Sequence, residues 1–167
     1  MVGRRIRIIL IAWIAMVGID FFLHGGLLAR LYTRESAFLL PPAEAFRLIP
    51  LGYLSFLVLA VLLVWLVERL DISGWRPGFI FGLKLGALTW GALVLGLLSI
   101  STADGDLLLG WFAGQTLELG AAGAFAGAAF AGGSLRGLFF RALLLVVVMI
   151  VLTVIMQNTG LAPAATL

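Results

Sequence analysis

The chain has 167 residues, of which 63% are hydrophobic and 11% charged, and its formal net charge is +3 at pH 7. Soluble domains are about 45–50% apolar and about 25% charged, so the composition excludes that class, and the apolar excess excludes a disordered chain. The absence of cysteine excludes a disulfide scaffold and a thiol nucleophile. A membrane span takes about 20 apolar residues, so the length accommodates roughly five spans and predicts one transmembrane domain over residues 1–167.

Five apolar segments follow one another along the chain, at about residues 6–28, 48–67, 78–100, 107–132 and 137–156. Inside a bilayer every backbone polar group must be satisfied within its own segment, so each segment is predicted to be a helix. Asp20 and His24 interrupt the far end of the first segment and no cleavage site stands out before Arg30, so we expect a retained span and not a signal peptide. The predicted fold is an all-α bundle of about five transmembrane helices.

The longest connection, at about residues 29–47, is not plainly polar. Residues 37–40 are apolar, Pro41 and Pro42 then break any helix, and Pro42-Ala43-Glu44 is able to open a new one. Two interpretations stay open: a short amphipathic segment or lid along the interface, or a loop that rests on lipid headgroups.

The basic residues predict the orientation. Eight of the eleven lie near one side of the bundle: Arg4, Arg5, Arg7, Arg69, Arg76, Lys84, Arg136 and Arg141. Arg30, Arg34 and Arg47 lie near the other side, with Asp104 and Asp106. The positive-inside rule therefore predicts a cytoplasmic N-terminus and an external C-terminus. Because the basic residues are spread over span ends and not gathered on one soluble face, no nucleic-acid partner is expected.

Four polar residues within the spans are the candidate functional residues. Asp20 and His24 lie one turn apart on one face of the first helix, and Gln115 lies one turn before Glu118 in the fourth. A rise of 1.5 Å per residue puts them roughly 6 to 16 Å from the outer ends of their spans, with His24 the shallowest and Glu118 the deepest. All four are predicted to form one intramembrane cluster, and Lys84 either reaches towards Glu118 or extends back to the inner surface.

Two interpretations of this cluster stay open. Two carboxyl groups and an imidazole are suited to exchanging protons or binding a cation. The alternative, which is favoured because polar contacts between helices are common in bundles, is a hydrogen-bonded clamp between the first and fourth helices. An Asp-x-x-x-His spacing is a weak match to any metal pattern, so no metal and no cofactor are predicted.

Glycines spaced four apart form a second pattern. They occur in the third and fourth segments, at Gly78, Gly82, Gly86, Gly110, Gly114, Gly123 and Gly127. Such spacing lets helices approach closely, either inside the bundle or against another membrane subunit. The fifth segment is rich in leucine, valine and isoleucine and is predicted to face lipid.

The stretch from Asp20 to Leu28 with Tyr32, then Pro42-Ala43-Glu44, and later Gly114 to Glu118, resembles uncharacterised bacterial membrane proteins of about four spans. The fifth segment departs from that pattern. The resemblance implies a multi-pass protein of the bacterial inner (plasma) membrane and brings no known activity with it.

Three classes of function were weighed. With a single histidine, no cysteine and no serine beside a plausible base, an enzyme is not expected, nor bis-histidine haem binding within one chain. We predict a non-enzymatic accessory, scaffold or assembly subunit that packs in the lipid bilayer against other membrane proteins, or against itself, through its glycine- and alanine-rich helix faces. The alternative is a small proton- or cation-coupled transporter or channel that uses Asp20, His24 and Glu118, although no internal repeat supports it.

Overall fold

A computed structural model describes residues 2–34 and 36–163, without the side chains of Pro42 and Ala43. Glu35, which belongs to the predicted 29–47 loop, and residues 164–167 of the predicted domain lie outside the described residues. The described chain is 83% helical and contains no strand. The helices are α1 (Val2–Phe22), which continues as a π-helical turn (Leu23–Leu27), α2 (Ala29–Tyr32), α3 (Pro42–Arg69), α4 (Trp75–Ile100), α5 (Gly105–Phe130) and α6 (Leu135–Asn158).

Four of these elements are long and apolar enough to cross a bilayer: Val2–Leu27, Glu44–Arg69, Trp75–Ile100 and Leu135–Asn158. The prediction of a helical protein with several candidate membrane spans is therefore confirmed. At 26 residues α5 is as long as α4. It is not among the four because its mean hydropathy is lower than theirs. Gln115 and Glu118 are polar, and its many glycines contribute no side chain.

The helix ends follow local chemistry. A proline at the first position opens α3, and the side chain of Asp104 accepts a hydrogen bond from the Asp106 backbone N–H at 2.9 Å, which caps α5. At the other end α5 ends at Phe130, two residues before the predicted boundary. Gly132 there adopts a φ of 89°, a left-handed conformation that closes the turn into α6.

Two ends of the bundle can be distinguished. At the arginine end, the guanidinium of Arg5 contacts Glu68 at 2.8 Å and that of Arg4 donates to the carbonyl of Ala129 at 2.7 Å. At the loop end, which carries residues 29–34, 36–41 and 101–104, Arg34 lies 3.4 Å from a carboxylate oxygen of Asp104. The long helices run alternately between these two ends.

α5 is the central helix, since α1, α3 and α4 all pack against it. Its buried residues are mainly alanines, glycines and leucines, and they join residues of α1 and α3 in the core. α4 buries little except Gly78, Gly82, Gly86 and Val94, so its remaining surface is exposed and apolar. The polar residues of α5 are consequently enclosed by other helices.

The glycines of α4 and α5 face one another. A Cβ atom at Gly78 would collide with the carbonyl of Gly123, and one at Gly82 with the carbonyl of Leu119. The Gly74 N–H also donates to the Gly127 carbonyl at 2.9 Å, so the backbones touch directly. The close approach is thus made within the chain.

Gly110 and Gly114 lie on a different face of α5. A Cβ at Gly110 would meet the side chain of Leu28, and one at Gly114 would meet Leu23. These two glycines therefore bring α5 close to the end of the first membrane helix. The glycines of α5 thus allow close contact with two different helices, the first membrane helix and α4.

α6 packs against α1 along one side and exposes the rest of its apolar surface. Gly18 allows α1 to approach Val146, and only Leu138, Ala142 and Thr153 of α6 are buried. The many exposed leucine, valine and isoleucine side chains of α6 suit a lipid surround.

Candidate functional site: an intramembrane polar cluster

A π-helical turn lies at the point where the first membrane helix reaches the cluster. The N–H of Leu28 donates to the carbonyl of Leu23 at 2.7 Å, five residues back, and this wider turn contains His24. The amide of Gln157 in α6 donates to the Gly25 carbonyl at 3.0 Å and supports the turn from outside. Single π-helical turns within α-helices occur frequently at functional sites.

The structure brings the four candidate residues together. His24 Nε2 lies 3.1 Å from Asp20 Oδ1. Ligand atoms of Asp20, His24 and Glu118 all lie within 4.8 Å of one another, across the contact between the first helix and α5. The Gln115 amide donates to Glu118 Oε1 at 3.2 Å.

The cluster is almost closed to solvent. Glu118 is 0% exposed, Gln115 3% and Asp20 8%, while His24 is partly buried. Two buried oxygens, Glu118 Oε2 and Gln115 Oε1, have no hydrogen-bond partner among the described residues. Most buried polar atoms in proteins have a partner, so these two orphans distinguish the cluster from a fully satisfied polar contact between helices.

Two aromatic residues extend the cluster towards the loop end. Trp111 Nε1 donates to the Tyr32 hydroxyl at 2.5 Å, and the same hydroxyl is hydrogen-bonded to His24 Nδ1. Neither residue is among the four candidates that the sequence predicts. The available signal was spacing, because Trp111 lies one turn before Gln115 on the same face of α5.

The chemistry of these groups gives the chain of hydrogen bonds a direction. Indole N–H can only donate, so the Tyr32 hydroxyl accepts from Trp111 and its own hydrogen is free to point at His24 Nδ1. The Nε2 atom of a neutral His24 then carries the hydrogen and donates it to Asp20. Burial raises the pKa of Tyr32 above its ordinary value; the Trp111 hydrogen bond lowers it, and the Asp20 and Glu118 charges raise it again. Tyr32 therefore stays protonated and able to donate.

No lysine or arginine in the described part of the chain forms an ion pair with the cluster. The ion pairs of Arg5 and Arg34 lie at the two ends of the bundle. Lys84, one of whose predicted positions was towards Glu118, is exposed and lines a surface groove with Arg76. Among the residues that the structure describes, the imidazole of His24 is thus the one possible cationic neighbour of the two buried carboxyl groups.

The 36–41 segment lies over the loop end of the cluster. The ring of Phe38 packs on Trp111 with ring centres 6.1 Å apart. Next to it a surface cavity of about 260 Å³ is lined by Ser36, Arg34 and Asp104, among others. Polar groups of the loop end therefore lie beside this aromatic pair.

Comparison with protein-family models, with curated proteins and with solved structures found no match to this chain. The function is therefore argued from the polar cluster itself.

Proposed function

We propose that the protein is a small proton- or cation-coupled membrane transporter or channel whose binding site is formed by Asp20, His24 and Glu118. The observation that carries this proposal is a pair of buried carboxyl groups: Asp20 is 8% exposed and Glu118 is 0% exposed. Their oxygens lie within 4.8 Å of each other and of the His24 imidazole nitrogen. Neither carboxyl group has a lysine or arginine partner among the described residues.

The charge of such a pair must be compensated. Two carboxylates that share a buried site do not both stay ionised, because each raises the free energy of charging the other and burial disfavours both charges. A single ionised side chain at a helix centre already costs on the order of 2.5–3.5 kcal/mol on insertion scales. Protons or a bound cation supply the missing positive charge, and their exchange with water is the proposed activity.

A purely structural clamp between α1 and α5 accounts for less of the geometry. A clamp needs polar contacts between the two helices, but the contacts of His24 with Asp20 and of Gln115 with Glu118 each lie within one helix. The clamp also leaves Glu118 Oε2 and Gln115 Oε1 without partners, although a clamp is stabilising only when its polar atoms are satisfied. We therefore favour the binding site.

The proposed arrangement has five crossings of a bacterial inner membrane: the four candidate spans and, in addition to them, α5. The N-terminus is cytoplasmic and the C-terminus external. The length of α5, 26 residues, supports the fifth crossing. The excess of basic residues on the side of the arginine end supports the orientation. In this arrangement the end of the cluster that carries Tyr32 and Trp111 faces the external side.

The first experiment uses the full chain reconstituted in vesicles with an internal pH indicator and an imposed proton or cation gradient. We expect gradient-driven flux from the unmodified protein and at least a tenfold loss in the double variant Asp20→Asn/Glu118→Gln, because amides keep the hydrogen-bonding capacity but carry no negative charge to hold a proton or a cation. Asp104→Asn/Asp106→Asn is the matched control: it also removes two carboxylates, but both are exposed at the loop end.

Absence of flux from the unmodified protein, or full flux from the folded Asp20→Asn/Glu118→Gln variant, would contradict the proposed function. Size-exclusion chromatography in detergent establishes that each variant is folded before flux is compared.

The accessory or scaffold function is the second candidate, and the exposed apolar surface of α4 is the observation that favours it. Its glycine faces are occupied by α5 within the chain, so a partner would contact the outward side of α4 instead. Purification from native membranes in a mild detergent, with the mass of the intact particle, tests it. A stoichiometric complex supports the subunit function, whereas a lone chain argues against it.

A further inference from the structure

We infer that the cluster binds one divalent first-row transition-metal ion, with His24 Nε2 and carboxylate oxygens of Asp20 and Glu118 as the ligands. This inference rests on the proposed function in that it takes the cluster as a cation site, and it specifies the cation. It departs from the sequence-based expectation of no metal, which rested on the Asp-x-x-x-His spacing alone.

The distances are close to those of a metal site. Ligand atoms at about 2.0–2.1 Å from a tetrahedral Zn²⁺ stand about 3.3 Å apart. His24 Nε2 and Asp20 Oδ1 are already 3.1 Å apart. The third ligand atom, on Glu118, lies within 4.8 Å of the other two, so a small shift of that carboxylate towards His24 and Asp20 is enough for all three to reach one ion.

The orphaned atoms point to a cation. Glu118 Oε2 and Gln115 Oε1 are both buried acceptors without a donor among the described residues, and Glu118 is completely enclosed. A cation satisfies such oxygens directly. Gln115, which donates to the other carboxylate oxygen of Glu118, holds that carboxylate in place as hydrogen-bonded neighbours of metal ligands commonly do.

The donor set selects the class of metal. One imidazole nitrogen with carboxylate oxygens suits Zn²⁺, Fe²⁺, Co²⁺ or Mn²⁺, whereas Mg²⁺ and Ca²⁺ prefer oxygen alone and Cu⁺ prefers sulfur, which this cysteine-free chain offers only as methionine. A doubly charged ion with two carboxylates and a neutral imidazole also gives a site of zero net charge. That is the charge state that a low-dielectric environment tolerates best.

Metal binding changes the direction of one hydrogen bond. With the metal on Nε2, the hydrogen of His24 moves to Nδ1 and is donated to the Tyr32 oxygen, and this bond orients the imidazole. Any proton held by Asp20 or Glu118 leaves to water as the ion enters. Metal and protons therefore compete for the same side chains, and metal affinity is expected to fall as the pH is lowered.

The test uses the full chain without an affinity tag, purified in detergent and titrated with Co²⁺ and Zn²⁺. We expect one Co²⁺ per chain with a visible absorption band, displaced by Zn²⁺, and an affinity at least tenfold lower in Glu118→Gln. Tyr32→Phe, which keeps all three ligands, is expected to bind about 10–100-fold more weakly because the imidazole loses its orienting bond. Asp104→Asn/Asp106→Asn is the matched control and retains binding.

A second measurement needs no variant. His24 is the only histidine, so ¹⁵N labelling of histidine gives one imidazole to observe, and Zn²⁺ is expected to shift its Nε2 resonance. No Co²⁺ or Zn²⁺ binding by the unmodified chain, an unshifted resonance, or equal affinity in Glu118→Gln overturns the metal site. Flux without metal binding overturns the metal site and leaves the proposed transport function standing. Metal binding without flux overturns the transport function and leaves the metal site standing.

Discussion

Replacing Gly82 by alanine is expected to destabilise the bundle by about 1–3 kcal/mol or more, the cost of overpacking a well-packed contact. The added Cβ would collide with the Leu119 carbonyl and lie 2.9 Å from the Cα of Gly120, and these are backbone atoms that cannot rotate away. α4 and α5 would have to separate along their length. Loss of folded protein on heating in detergent, followed by size-exclusion chromatography, measures the effect.

Gly96→Ala is the matched control on the same helix. A Cβ at Gly96 meets nothing within 4 Å. Alanine is the better helix former by up to about 1 kcal/mol, so this variant is expected to equal or exceed the stability of the unmodified protein. If Gly82→Ala were as stable as Gly96→Ala, the close approach of α4 to α5 would be wrong.

Replacing Tyr32 by phenylalanine is expected to cost about 1–3 kcal/mol, the usual penalty for leaving buried polar groups unpaired. The hydroxyl is the acceptor for Trp111 Nε1 and the partner of His24 Nδ1, so its removal orphans both atoms. Thermal unfolding in detergent measures the loss, and the indole N–H resonance of Trp111 is expected to move upfield once it has no acceptor.

Tyr53, the only other tyrosine, provides the control. Its backbone carbonyl accepts from Trp13 at 2.8 Å, but its hydroxyl makes no hydrogen bond within the described part of the chain. Tyr53→Phe is therefore expected to change stability by no more than about 0.5 kcal/mol. Equal stability of the two variants would remove Tyr32 from the cluster as an energetic partner.

The two proposals on function depend on the same side chains but answer separate questions. Flux asks whether protons or cations exchange through the cluster, and metal titration asks which cation the ligands hold. The orphaned oxygens of Glu118 and Gln115 enter both, since the two atoms are buried and have no hydrogen-bond partner among the described residues. The fold contributes by enclosing α5, because an enclosed carboxyl group needs a counter-charge while an exposed one does not.

The pairing of Asp20 with His24 could be predicted from the sequence because both lie on one helix, where a spacing of four residues puts side chains on the same face. The same rule placed Gln115 beside Glu118. That the Asp20–His24 pair lies next to the Gln115–Glu118 pair could be stated only as an expectation, based on the depth of each residue in the membrane. It depends on which helices are neighbours, and no local pattern encodes that order.

The glycine spacing illustrates the same limit. It predicted close approach of helices, but Gly110 and Gly114 face the leucines at the end of the first membrane helix while Gly123 and Gly127 face α4. A spacing of four residues identifies a face of a helix and leaves its partner open. The partner follows from how all the helices fill space together.

Composition and hydropathy by themselves determined that this is a helical protein with several membrane-spanning candidates, because burying backbone in lipid leaves helices as the only local solution for such segments. The tertiary structure alone decided that α5 is central, that the first helix widens into a π-helical turn at His24, and that Tyr32 and Trp111 complete the cluster. Each of these depends on contacts between residues far apart in the chain. Helix period and hydropathy describe one segment at a time, whereas a site built from two helices exists only once they pack.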